Sequence, residues 1–178
     1  MTKSQPPESA DLILNAATQT SSDPASNPLS NPASNPVTER QLQLIQEFAA
    51  LPDWEARYKR VIDYGKKLPA VGPELHDEKF KIRGCQSQVW LHAHLSDEGR
   101  VMLEADSDAM IVKGLVAVLL NVYSGTKPEQ ILTASAAFLK QLGFESHLSP
   151  SRANGLYAML KQILLYATAF QKMALLRG

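Results

Sequence analysis

The sequence predicts an α+β fold in which a small antiparallel β-sheet packs against helices. Three observations predict it. Two apolar-alternating stretches, Val89 to Leu95 and Val101 to Ala105, are separated by a single turn. Apolar residues recur at helical spacing on both sides of that pair, and glycine or proline punctuates the joins. A chain of 178 residues, 44% hydrophobic and 20% charged, can bury a core without disulfides or metals.

Residues 1 to 37 hold six of the eleven prolines, no glycine and no aromatic residue, and repeat Ser-Asn-Pro at Ser26, Ser30 and Ser34. Each proline removes a backbone donor and biases its predecessor away from the helical region, so this stretch reads as a disordered tail. The folded domain is placed at 38 to 178. Thr38 with Gln41 matches a capping box, and Leu42, Ile45, Phe48 and Ala49 form the stripe of a first helix reaching about Leu51. Asp53 caps a second helix with Trp54, Tyr58, Val61, Ile62 and Leu68 on one side, and Gly72-Pro73 marks a loop.

The alternating segments follow, joined by the turn Ser96-Asp97-Glu98-Gly99. Asp108 to Ser124 is then apolar on most sides, which predicts a central buried helix stopped at Gly125. Pro128 opens a short helical segment, Ala136 to Leu142 a second one ended by Gly143, and Ser149-Pro150 the longest. On that last helix Leu156, Met159, Leu160, Ile163, Leu164 and Ala167 line one face.

Charge and cysteine usage exclude whole classes of function. The formal net charge is zero, and +2 without the tail, so no basic surface is available to neutralise a phosphate backbone, and nucleic acid is not expected as a partner. One cysteine forms no intramolecular disulfide, and no Cys/His group has structural zinc spacing, so a reducing cytoplasmic setting is expected. Leu12-Ile13-Leu14 is too short for a secretory core, and the six apolar residues Leu115 to Leu120 fall far below the about 20 a membrane span needs.

The candidate chemistry lies at Cys85, between Gly84 and Gln86, just before the first strand. A lone intracellular cysteine is usually a small buried hydrophobe. Here Gly84 permits close approach, and Lys79, Lys81 and Arg83 fall on one side of an extended segment, where positive charge would favour the thiolate. The alternative is that these cations make an ordinary solvated face.

The run Ile82-Arg83-Gly84-Cys85-Gln86-Ser87-Gln88-Val89-Trp90 resembles the signature of the SufE-like cysteine desulfuration family. Leu68-Pro69, Asp106-Ser107-Asp108-Ala109 leading to Ile111-Val112-Lys113-Gly114-Leu115, and His147-Leu148-Ser149-Pro150-Ser151-Arg152 with Asn154-Gly155-Leu156 repeat that resemblance in the family's order. It covers about residues 38 to 175, and the tail departs from it. The resemblance implies a SufE/IscU-like fold. It also implies that Cys85 takes persulfide sulfur from a SufS- or CsdA-type cysteine desulfurase, stimulates that enzyme, and passes the sulfur toward an iron-sulfur assembly scaffold or another acceptor. Under this reading the protein is an accessory carrier and not itself an enzyme. It binds no cofactor, and the pyridoxal phosphate belongs to the partner. Homodimer formation is left open.

The rival readings are an iron-sulfur scaffold, a thiol peroxidase or redox sensor, and a binding protein with an inert Cys85. A cluster usually takes three or four thiolates and this chain has one. A peroxidase would lack a resolving thiol in the chain. His92 and His94 fall on one face of a strand, but with no carboxylate or thiol close in sequence they read as a solvated face, so no metal site is expected. Trp90 reads as packing or partner contact. Asp108 most simply caps the central helix. Arg152 lies in the first turn of the last helix, where a positive charge gains nothing from the dipole, so it reads either as a neighbour of the cysteine loop or as a structural ion pair. Gly84, Gln86, Asp108 and Arg152 are thus the supporting candidates around Cys85.

Overall fold

The structure is a computed structural model that describes residues 35–177. The tail expected at 1 to 37 lies outside the described residues except for its last three. Those three belong to the first helix, α1 (Pro36–Ala49), and its cap. The helix starts two residues before Thr38 and is capped by Asn35, whose Oδ1 accepts the Val37 N–H at 2.9 Å. Asn35-Pro36 therefore acts as a helix start: Asn suits the cap, and proline at the first helical position lacks only an N–H that would have no intrahelical partner. Asn35 Nδ2 also donates to the Gln130 carbonyl at 2.7 Å, fixing the helix start to a distant segment.

Asp53 caps α2 (Trp54–Lys66), accepting the Ala56 N–H at 2.8 Å. The loop after it contains two short 3-10 turns, Pro73–His76 and Glu78–Phe80. The hairpin β1 (Val89–Leu95) and β2 (Val101–Ser107) is antiparallel, with Val89 opposite Ser107 and Leu95 opposite Val101. Val89, Leu91 and Ala93 face the core together with Val101, Leu103 and Ala105, as the alternation predicts. Trp90, His92, His94, Met102, Glu104 and Asp106 take the other face.

Two strands alone are marginal in water, so helices must cover the apolar face. That cover comes from α3 (Met110–Tyr123), buried at Val112, Gly114 through Leu120, Val122 and Tyr123, and from α7 (Pro150–Arg177), whose Tyr166 hydroxyl donates to the Leu91 carbonyl at 2.9 Å. Helices α2 and α3 approach closely at two glycines. A Cβ on Gly65 would lie 2.8 Å from Gly114 N, and one on Gly114 would lie 2.3 Å from the Val61 carbonyl oxygen. Between α3 and α7 run α4 (Pro128–Thr133), α5 (Phe138–Gln141) and α6 (Phe144–His147). The last of these was not expected: Gly143, at φ 76°, reverses the chain so that Phe144 turns into the core against Phe48. No helix among the described residues is long and apolar enough to cross a membrane.

Candidate functional site

Cys85 sits on a protruding loop whose neck is closed by the sheet. The Ile82 N–H donates to the Val89 carbonyl at 2.8 Å, and Lys81 bridges Trp90, so residues 83 to 88 leave and re-enter one strand edge. Gly84 turns the chain there with φ +88°, a conformation that costs glycine little. At the re-entry point Gln88 is held three ways. Its N–H donates to Asp108 Oδ1 at 3.0 Å, and its carbonyl accepts from the Ser107 hydroxyl at 2.8 Å and the Asp108 N–H at 3.3 Å.

Asp108 therefore does not cap α3, whose N-cap position is Ala109. Its carboxylate is engaged with the cysteine loop, because β2 ends at Ser107 directly opposite Val89 and leaves Asp108 beside Gln88.

The loop folds Cys85 onto the first turns of α7. Its Sγ lies 3.8 Å from the Gly155 carbonyl oxygen, and a Cβ added to Gly155 would come within 3.1 Å of the sulfur. Gly155 is thus the seat of the thiol. Gln86 anchors the next residue, its Oε1 accepting from the Ser151 hydroxyl at 3.0 Å. Together Cys85, Gln86, Ser87, Val112, Ser151, Arg152, Gly155 and Met159 line a cleft of roughly 260 Å³.

Burial pushes the half-buried Cys85 thiol up from its ordinary value. Of the two readings open for the neighbouring cations, the structure supports the ordinary solvated face for the two lysines. Lys79 pairs with Asp77 at 3.4 Å, and Lys81 pairs with Glu78 at 2.8 Å. The 3-10 turn at 78 to 80 breaks the extended run that would have aligned these lysines with Cys85. Burial favours the protonated form of this partly shielded thiol.

Of the sequence candidates, Cys85, Gln86 and Arg152 meet in one cleft. Gly84 lies at its outer edge, with nothing within 4 Å of an added Cβ, and Asp108 acts one step away through Gln88. Arg152 lines the cleft beside Cys85, and no ion pair of it is seen among the described residues. Gly155, Ser151 and Ser107 were not singled out by their chemistry. A signal for Gly155 was available: a glycine inside a strong helical pattern often marks a close approach.

Fold and site together define a small α+β protein carrying one thiol on a pinned loop against a helix. Residues 42–167 match the family model described as "SufE: Fe-S metabolism associated domain". An uncharacterised SufE-like protein of Rhizobium etli is 46% identical over 126 residues, 68% of this chain and 84% of that one. Another from Synechocystis is 40% identical over 129 residues, 72% of this chain and 80% of that one. Among solved structures, the solution structure of a hypothetical protein from Thermus thermophilus shares the fold with a TM-score of 0.64 at 26% identity, covering 75% of this chain and 96% of that one. The chain belongs to the SufE family, which is associated with iron-sulfur metabolism.

Proposed function

We propose that this protein accepts sulfane sulfur on Cys85 from the persulfide of a SufS- or CsdA-type cysteine desulfurase, clears that enzyme for another turnover, and delivers the sulfur toward iron-sulfur cluster assembly. The observation that carries the reading is the seat of Cys85: a single thiol on a loop, packed over Gly155 and opening into a cleft of roughly 260 Å³. The transfer is thiol exchange. The Cys85 thiolate attacks the terminal sulfur of the donor persulfide, the donor's S–S bond breaks, and the donor cysteine leaves as a thiolate. Cys85 then holds the terminal sulfur as a persulfide, with no net change in electrons across the pair.

No general base is needed, which fits a cleft with no histidine among its lining residues. A raised thiol pKa suits a carrier that stays quiet when free and ionises once a partner draws the sulfur out of its seat. Pyridoxal phosphate is the partner's cofactor, and a reducing cytoplasmic setting keeps the acceptor thiol free.

The test is to incubate the protein with a cysteine desulfurase and cysteine, then weigh the intact chain. The expected result is a gain of one sulfur on the wild type and none on Cys85→Ser. A folded Cys85→Ser protein that gains sulfur, or stimulates the desulfurase as the wild type does, would refute the assignment.

A further inference from the structure

The outer face of the hairpin gathers a second set of chemically capable side chains, unrelated to the cysteine loop. Alternation along β1 turns His92 and His94 away from the core. The antiparallel register then sets Glu104 of β2 directly opposite His92. One nitrogen from each imidazole and one carboxylate oxygen lie within 4.8 Å of one another.

The tightest pair, His92 Nδ1 and Glu104 Oε2, is separated by 3.2 Å. Donors bound to one tetrahedral zinc ion at about 2.0–2.1 Å stand about 3.3–3.4 Å apart, so this pair already has the spacing of two ligands. The two imidazoles lie 5.9 Å apart by ring centroid at 28°, and the Phe80 ring walls His92 at 4.6 Å. His94 and Glu104 are exposed and His92 is half-buried, so an ion from solvent can reach all three.

We propose that His92, His94 and Glu104 form a binding site for an imidazole-preferring divalent metal ion of the zinc class. Two nitrogens and one carboxylate oxygen suit zinc, which takes mixed N/O sets. They do not suit magnesium or calcium, which are held through oxygen alone. Three protein ligands leave a fourth position for water or for a side chain from a bound partner. The binding replaces the hydrogen bond between His92 and Glu104 and leaves the strand backbone unchanged. The site stands or falls independently of sulfur transfer, since none of its residues lines the Cys85 cleft.

The experiment uses the full chain carrying Cys85→Ser, because a thiolate is itself a zinc ligand. Zinc chloride is titrated by calorimetry while the histidine imidazole nitrogens are followed by NMR. The expected result is uptake of one zinc ion per chain, with the resonances of His92 and His94 shifting and those of His76 and His147 unmoved. Magnesium chloride should give no uptake. His92→Asn, His94→Asn and Glu104→Gln should each weaken zinc binding by about tenfold or more. The double variant His92→Asn/His94→Asn should lose the saturable site.

Absence of saturable uptake by the Cys85→Ser chain would overturn the proposal. So would unchanged affinity in the double variant, or imidazole shifts confined to His76 and His147. The imidazole readout needs no change in the hairpin, so the proposal stays open to refutation even where a variant fails to fold.

Discussion

Replacing Gly155 with alanine should free the thiol without harming the fold. The new methyl would stand 3.1 Å from Cys85 Sγ and 3.8 Å from its Cβ. Only the first is too close, and ordinary contact is restored once the sulfur retreats by a few tenths of an ångström. Cys85 rides on a loop, so it yields more readily than the helix does. Within α7, exchanging glycine for alanine favours the helix by about 1 kcal/mol, which offsets part of the packing cost. The melting temperature should therefore change little. The thiol, however, loses its place over the Gly155 carbonyl, and with it some of the burial that raises its pKa. Each unit of pKa regained multiplies the thiolate fraction at neutral pH by about ten. Iodoacetamide labelling followed against pH is the assay. The variant should label faster at about pH 7, with its titration midpoint moved down from the wild-type position. An unchanged midpoint and rate in a folded Gly155→Ala protein would refute the claim that Gly155 seats and shields the sulfur.

Further expectations concern the loop, the helix contacts and acid stability. If a desulfurase draws the loop outward, iodoacetamide should label Cys85 faster in the complex than in the free protein, and amide exchange of residues 80 to 90 should quicken; equal values in both states would leave a permanently presented thiol. Gly114→Ala forces a methyl against the Val61 backbone and should cost at least the about 1–3 kcal/mol typical of overpacking, read as a lower denaturation midpoint. Asn35→Ala should cost about 1 kcal/mol from the lost cap, with some further loss from the bond to Gln130, while sulfur acceptance stays intact. Burial raises the Asp106 pKa, but hydrogen bonds from Lys113 and His76 outweigh it and hold the carboxyl below its usual range. Its stabilisation is therefore present above the ordinary aspartate pKa and lost as pH falls through the lowered folded value, so Asp106→Asn should flatten the acid limb of a stability-versus-pH curve.

What was legible in the sequence follows the range over which each interaction acts. The hairpin, α3 and α7 were readable because alternation and helical spacing are local patterns, and their buried faces are the ones those patterns mark; of the α2 stripe only Val61 is buried, and the helix stops before Leu68. The start of α1 was misplaced because one dipeptide serves two purposes. In Asn35-Pro36 the residues that read as disorder are also good cap and first-turn residues, and the bonds that fix them there run from Asn35 to Gln130 and Thr133, 95 and 98 positions away. Asp108 was assigned to the helix it precedes because the helix is its neighbour in sequence, whereas its actual partner, Gln88, is 20 positions back across the hairpin.

The same limit separates the two sites. Cys85 was legible because a lone cysteine in a distinctive run needs no distant residue to be noticed, while its environment was left open between two readings. The two lysines pair with Asp77 and Glu78, and burial raises the thiol's pKa where it packs on the Gly155 backbone of α7, 70 positions away. His92 and His94 failed as a metal pair in sequence for want of a nearby carboxylate. Register supplies one: the strand pairing that puts His92 opposite Glu104 is fixed by which faces of β1 and β2 are apolar, since a shift of one residue would turn Leu91 and Leu103 into water. The core pattern thus dictates the polar juxtaposition on the opposite face. Placing Glu104 beside the two histidines would have required pairing the two strands first and only then looking at what their outer faces bring together.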